Sequence, residues 1–116
     1  METVIQTQGF GLTPSLEKFT RSRVKKALGK CADNIERVVV RLKDINGPKG
    51  GPDKHCSVEI IISRSPILII SNVSSDMYHS IQHTTKKAAR TALRHLDRRR
   101  VQKLKSKKGS NNLLEP

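Results

Sequence analysis

Aromatic residues are nearly absent from this chain. Phe10, Phe19 and Tyr78 make up 3% of it, and there is no tryptophan. Proteins that read single strands stack bases on aromatic platforms. The scarcity argues against that mode and leaves phosphate and shape readout for any nucleic-acid contact. Acids are also few: ten Asp and Glu against 23 Lys and Arg, a net charge of +13. A field of that size favours nucleic acid or an acidic membrane and says nothing about fold. No run of 18 apolar residues exists, so no membrane span is expected. The opening Met1-Glu2-Thr3-Val4 lacks the basic-then-apolar pattern of a signal peptide. Cysteine is limited to Cys31 and Cys56, without CxxC spacing. Both read as small, buried or half-buried thiols of a cytoplasmic protein, with neither disulfide nor metal site expected. No serine sits in a nucleophile elbow, no paired carboxylates recur and no histidine has an obvious partner, which argues against an enzyme. No cofactor is expected.

What the chain does have is concentrated in its last third, where Ser75 to Lys108 reads as one long helix. At 100° per residue, Met77, Ile81, Thr84, Thr85, Ala88, Ala92 and Leu96 fall within roughly 120° of one another. His79, His83, Lys86, Lys87, Arg90, Arg94 and Arg98 fall opposite. The cations at 86, 90, 94 and 98 recur every four residues, about 6 Å of rise per step. Like charges at i,i+4 destabilise an isolated helix by roughly 0.2–0.5 kcal/mol per pair. A solvated face usually interleaves Glu, but 76–108 holds eleven Lys and Arg against Asp76 and Asp97. The pattern suits an anionic polymer.

Upstream, residues 3–8 read as a short strand ending at Gly9 and Gly11. Thr13 and Pro14 open a helix as N-cap and first helical residue. Its apolar stripe is Leu16, Phe19, Thr20, Val24, Ala27, Leu28 and Cys31, with Lys18, Arg21 and Lys25 opposite and Lys26 at the flank. Residues 35–43 alternate: Val38, Val40 and Leu42 on one face, Arg37, Val39, Arg41 and Lys43 on the other. Asp44 to Asp53, rich in Gly and Pro, is a hairpin loop. Residues 54–63 form a strand with Cys56, Val58, Ile60 and Ile62 inward. Arg64-Ser65-Pro66 turns the chain, and 67–73 form the last strand. Ser74 or Ser75 caps the final helix, with Asp76 suited to its positive end.

The expected fold class is therefore α+β, in the order β-α-β-β-β-α. A right-handed parallel crossover is followed by a meander, giving a four-stranded mixed sheet with two helices on one face. The helix cations, Arg21, Lys25 and Lys26 with Lys86, Lys87, Arg90 and Arg94, would then join in one field. One domain, 1–104, and a basic tail, 105–116, disordered when unbound, complete the expected organisation.

Taken together, these residues resemble the ribosome hibernation-promoting factor family, which includes the ribosome-associated translation inhibitors. The likeness lies in Leu12-Thr13-Pro14-Ser15-Leu16, in Arg37-Val38-Val39-Val40-Arg41-Leu42, and in the loop from Asn46 to Lys54. Above all it lies in Asp76-Met77-Tyr78 opening the last basic helix, followed by Ile81. The resemblance covers about residues 3–105. It implies a fold similar to a double-stranded-RNA-binding domain and a site in the mRNA and tRNA channel of the small ribosomal subunit. It also implies rRNA contact through both helices, at Arg21 and Lys25 and at Lys86, Lys87, Arg90 and Arg94. Lys26 and Arg98 join these on charge and periodicity alone. The chain departs from the family in His79-Ser80, where two alanines are common, and in the more basic Lys86-Lys87-Ala88-Ala89-Arg90. With no C-terminal dimerisation domain it resembles a short form. Such a form would be a monomer when free, and a separate small modulation factor would be needed to pair ribosomes.

Other readings stay open at this stage. Asp76 and Tyr78 are either a local structural device or rRNA contacts. His79 and His83 sit near phosphate or are simply exposed, rather than binding metal. His55 reads as a strand-start residue. Arg37, Arg41 and Lys43 either extend the RNA surface across the open sheet face or form a solvated strand. The 46–52 loop lacks the Lys-Ser/Thr ending of a phosphate loop. The alternative function is a general RNA-binding module or RNA chaperone with no ribosomal site.

Overall fold

The computed structural model describes residues 1–45 and 53–112, with side chains to Val101. The element order is β1 (Glu2–Gln8), α1 (Pro14–Leu28), a 3-10 segment (Gly29–Asn34), β2 (Ile35–Asp44), β3 (Lys54–Ile62), β4 (Leu68–Ser74) and α2 (Met77–Asn112). This is the expected β-α-β-β-β-α order. The sheet runs β1-β2-β3-β4. β1 pairs in parallel with β2, Val4 opposite Val39, and the β2–β3 and β3–β4 pairs are antiparallel. The single parallel pair is the one joined through α1, as the connection length requires.

One face of the sheet makes the core. Val38, Val40 and Leu42 of β2 and Cys56, Val58, Ile60 and Ile62 of β3 are buried beneath Leu16, Val24 and Leu28 of α1 and Met77, Ile81, Ala88 and Ala92 of α2. The stripe of α2 is thin because it is built for close approach. Ser80, Thr84 and Thr85 are fully buried beside the two alanines. Their hydroxyls are satisfied locally: Thr84 donates to the Ser80 carbonyl and Thr85 to the Ile81 carbonyl, each at 2.7 Å. Ser80 reaches across to the Asn72 carbonyl of β4 at 3.2 Å. Back-bonding of this kind lets a helix bury hydroxyls without an orphan donor. Thr20 does the same in α1, to the Leu16 carbonyl at 2.7 Å.

The other face is open. There β4 is an edge strand. Ile70 faces the core, whereas Ile67, Ile69 and Val73 are exposed. Val39 also points to the open face yet is buried, lying between Val4 of β1 and Glu59 of β3. A central strand can shelter one apolar residue on its wet face in this way; an edge strand cannot.

Three local devices fix the element ends. Thr13 caps α1, its hydroxyl accepting from the Leu16 N–H at 3.2 Å, with Pro14 at the first position. Gly9 has φ +89°, and a Cβ there would lie 2.8 Å from the Asp44 carbonyl oxygen. Glycine is therefore required where the chain leaves β1. The cap of α2 differs from expectation: Asp76, not Ser74 or Ser75, accepts from the His79 N–H at 3.1 Å. Ser74 instead supports Asp76, its hydroxyl 3.4 Å from the Asp76 N–H.

The backbone of α2 stays helical to Asn112, past Lys108 and through most of the segment expected as a disordered tail from 105. The expected hairpin loop at 46–52 lies outside the described residues. Its flanks are tied together, since the Ile45 N–H donates to the Asp53 carbonyl at 2.9 Å. Lys54 bridges the carboxylates of Asp44 and Asp53, each at 3.2 Å.

Candidate nucleic-acid interface

The two helices lie side by side on the sheet and are braced at their starts. Phe19 of α1 meets Tyr78 of α2 edge to face, ring centres 4.7 Å apart and planes at 69°. Such pairs stabilise by about 0.5–1.5 kcal/mol beyond area burial. Tyr78 thus faces the neighbouring helix. Further along, Ala27 and Ala89 are small enough to bring the helices close, and a groove opens above them. It is lined by Arg23, Lys26, Lys86 and Arg90, with a volume of about 480 Å³. A second pocket of about 350 Å³, toward the start of α2, is lined by Arg23, His79, Gln82, His83 and Lys86. Neither lining contains a carboxylate.

All eight residues singled out from the sequence are exposed, but they are not brought together in one place. Lys26, Lys86 and Arg90 share the groove. Arg21 turns the other way, toward β1. Its guanidinium donates to the Thr3 carbonyl at 3.0 Å and pairs with Glu17 at 3.1 Å. Lys25, one turn on from Arg21, shares that flank. Arg94 and Arg98 line a shallow depression along α2 with Arg90, Leu93, Asp97 and Val101. Lys87 lines neither the groove nor this depression. The spacing of four advances each cation by about 40° around a helix, so a row that reads as straight in sequence wraps around α2.

Arg23 was missed by the sequence reading. It lies on the flank of the α1 stripe with Phe19 and Ala27, at spacings of four, and that flank faces α2. Its Nε is buried with no hydrogen-bond partner among the described residues. The signal was present, but charge opposite the stripe was sought rather than charge beside it.

The cations of the two sheet faces are treated differently. On the open face Arg37 pairs with Glu2 at 2.8 Å, and Arg41 pairs with Glu59 and hydrogen-bonds Gln6 at 3.1 Å. On the helices, no carboxylate among the described residues lies within ion-pair distance of Lys26, Lys86, Lys87, Arg90, Arg94 or Arg98. Like charges are held in a groove with no ion-pair partner among the described residues.

The thiols play no part in this surface. Burial pushes Cys56 up to about 11, with the Thr84 hydroxyl pulling slightly the other way. Burial likewise raises Cys31, against a backbone hydrogen bond that lowers it. Thiolates are the reactive form, so both are inert near neutral pH. No described helix is long and apolar enough to cross a membrane.

The fold is a parallel-crossover α+β layer whose helix groove carries cations without a carboxylate in its lining. The family model described as "Sigma 54 modulation protein / S30EA ribosomal protein" matches residues 3–100, and the chain belongs to that family. It is a ribosome-associated modulation protein of hibernation-factor type, and not an enzyme. Two solved structures share the fold. A ribosomal subunit interface protein from Coxiella burnetii is 20% identical with a TM-score of 0.71, over 84% of this chain and 99% of that one. The N-terminal domain of Protein Y from Thermus thermophilus is 11% identical with a TM-score of 0.67, over 82% of this chain and 99% of that one. No curated protein matches the chain.

Proposed function

We propose that this protein binds the small ribosomal subunit through the groove between α1 and α2 and occupies the channel used by mRNA and tRNA, holding idle ribosomes inactive. The observation that carries the reading is the contrast in pairing: carboxylates neutralise the open-face arginines, while the groove cations have none. Phosphates of rRNA would supply the missing counter-charge, and release of their condensed counterions would drive binding. With so few aromatics, backbone and shape recognition replaces base stacking. Lys26, Lys86 and Arg90 are the central contacts, joined by Arg23. Lys87, Arg94 and Arg98 extend the surface along α2. Arg21 and Lys25 lie at its margin. The mechanism is steric exclusion by a seated domain, with the protein acting as a monomer in the cytoplasm. Pairing of ribosomes would fall to a separate small modulation factor.

The test is sedimentation with vacant ribosomes through a sucrose gradient at physiological salt, followed by assay of each subunit. Near-stoichiometric retention on the small subunit, unaffected by excess plain duplex RNA, is the expected result. Loss to the duplex competitor would favour the general RNA-binding module instead.

A further inference from the structure

We propose that the pocket at the start of α2 is a phosphodiester seat whose occupancy is coupled to protonation of His79 and His83, so that RNA binding tightens as pH falls. This deepens the RNA-binding reading above and rests on it for the source of the phosphate.

The pocket is lined by Arg23, His79, Gln82, His83 and Lys86. Every one of these side chains can donate a hydrogen bond, and none is an acid. The two imidazoles stand one turn apart with ring centres 6.3 Å apart and planes within 16° of parallel. The Ser74 hydroxyl lies 3.2 Å from His79 Nδ1. That contact engages one ring nitrogen and leaves Nε2 for a ligand. Across the pocket Arg23 carries a buried Nε without a partner among the described residues. The pocket is lined by side chains, and the His79 N–H is already taken by the Asp76 carboxylate.

The charges that face the imidazoles can be named element by element. From α1 comes Arg23, with Lys26 in the adjoining groove. From α2 come Lys86 within the pocket, and Lys87 and Arg90 one turn on. From the end of β4 comes the Ser74 hydroxyl, and from the connection after it the Asp76 carboxylate. In the unliganded protein the cations named here outnumber the single carboxylate, so the pocket lacks a counter-charge. A phosphodiester reverses that balance: it accepts charge-assisted hydrogen bonds from both imidazoles and from Arg23 and Lys86. Histidine is the side chain that changes charge between about pH 5 and 8. The sign then follows from linkage. If the complex binds more protons than the free protein, affinity rises as pH falls, by up to about tenfold per pH unit for each proton taken up. The same seat without histidines would bind phosphate with little dependence on pH in this range.

Two measurements decide the proposal, made on the full chain and on a His79→Gln/His83→Gln variant. Both side chains are exposed, so the variant should fold. The first is affinity for the small subunit at constant ionic strength from pH 8 to 6. Wild-type affinity should gain about tenfold or more relative to the variant across that range. Parallel profiles for the two proteins would overturn the coupling. The second is NMR titration of the imidazole C–H resonances with and without inorganic phosphate. Phosphate should move the midpoints of His79 and His83 upward while leaving His55 unmoved. Unmoved midpoints would remove the seat. A protein that fails to bind the subunit at any pH, yet shows phosphate-raised midpoints, would keep the seat and overturn the ribosomal reading.

Discussion

The two faces of the sheet both present cations, yet they differ in what the cations do. Arg37 and Arg41 on the open face are spent on Glu2 and Glu59. Exposed pairs of this kind stabilise by only about 0–1 kcal/mol. Their effect is to cancel charge, not to hold the sheet. The groove between the helices carries Arg23, Lys26, Lys86 and Arg90 above two alanines, with no carboxylate in its lining, where potentials add. A count of lysines and arginines does not separate these situations. Pairing does, and it turns a charge of +13 into a directional surface.

The largest test of that contrast is charge-matched. Lys26→Gln/Lys86→Gln/Arg90→Gln and Arg37→Gln/Arg41→Gln/Lys43→Gln each remove three positive charges. The groove variant should lose about 100-fold in affinity for the small subunit, and its log–log salt slope should fall by about 2–3. The open-face variant should change affinity by less than about threefold. Gradient retention measured at several salt concentrations reads both quantities. Equal losses would mean that net charge, and not the groove, does the binding.

The next effect concerns packing. Ile60 is fully buried under the helices, while Ile69, on the adjacent strand and the opposite face, is 64% exposed. Ile60→Ala should cost about 2–5 kcal/mol. Ile69→Ala should stay within about 0.5 kcal/mol. Urea unfolding separates them, and a large loss at Ile69 would reveal something covering the open face.

Alkaline pH should probe how dry the helix face is. Burial raises Cys56 from the ordinary 9.0 to about 11, so the fold favours the protonated thiol. Its contribution is fully present below pH 9 and is lost as pH climbs through about 11. Two pH units correspond to about 3 kcal/mol at most. Cys56→Ala should give a profile that is lower at neutral pH through lost packing but flatter above pH 9. An alkaline limb unchanged by the substitution would place water at Cys56.

Most of the architecture was legible because local signals agreed. The period of two in β2, the Thr13-Pro14 start of α1 and the 3.6 period of α2 each specify one element, and right-handed crossovers leave few ways to assemble them. What was not legible depended on neighbours far away in sequence. Val39 is buried by strands on either side of it, and Ile69 is exposed because no strand lies beyond β4. Arg21 reads as a groove cation until Thr3 is found beside it. Arg23 goes unremarked in the sequence until α2 lies against its flank of α1. The site was legible as a composition of the two helices; its members could not be chosen without knowing which flanks meet.

The smallest effect separates two roles for the one acid at the head of the basic face. Asp76 caps α2 through its hydrogen bond from His79 N–H, and its charge also lies at the positive end of the helix. Asp76→Ala removes both and should cost about 1 kcal/mol, like Thr13→Ala on α1. Asp76→Asn keeps an accepting oxygen and removes only the charge, so about 0.3–1 kcal/mol should be lost. A residue that serves only as a cap should leave RNA affinity unchanged in the Asn variant, or raise it slightly by removing a negative charge near an anion site. If the Asn variant instead keeps its stability and binds the small subunit several-fold more weakly, Asp76 touches rRNA directly. The head of α2 would then belong to the contact surface as well as to the fold.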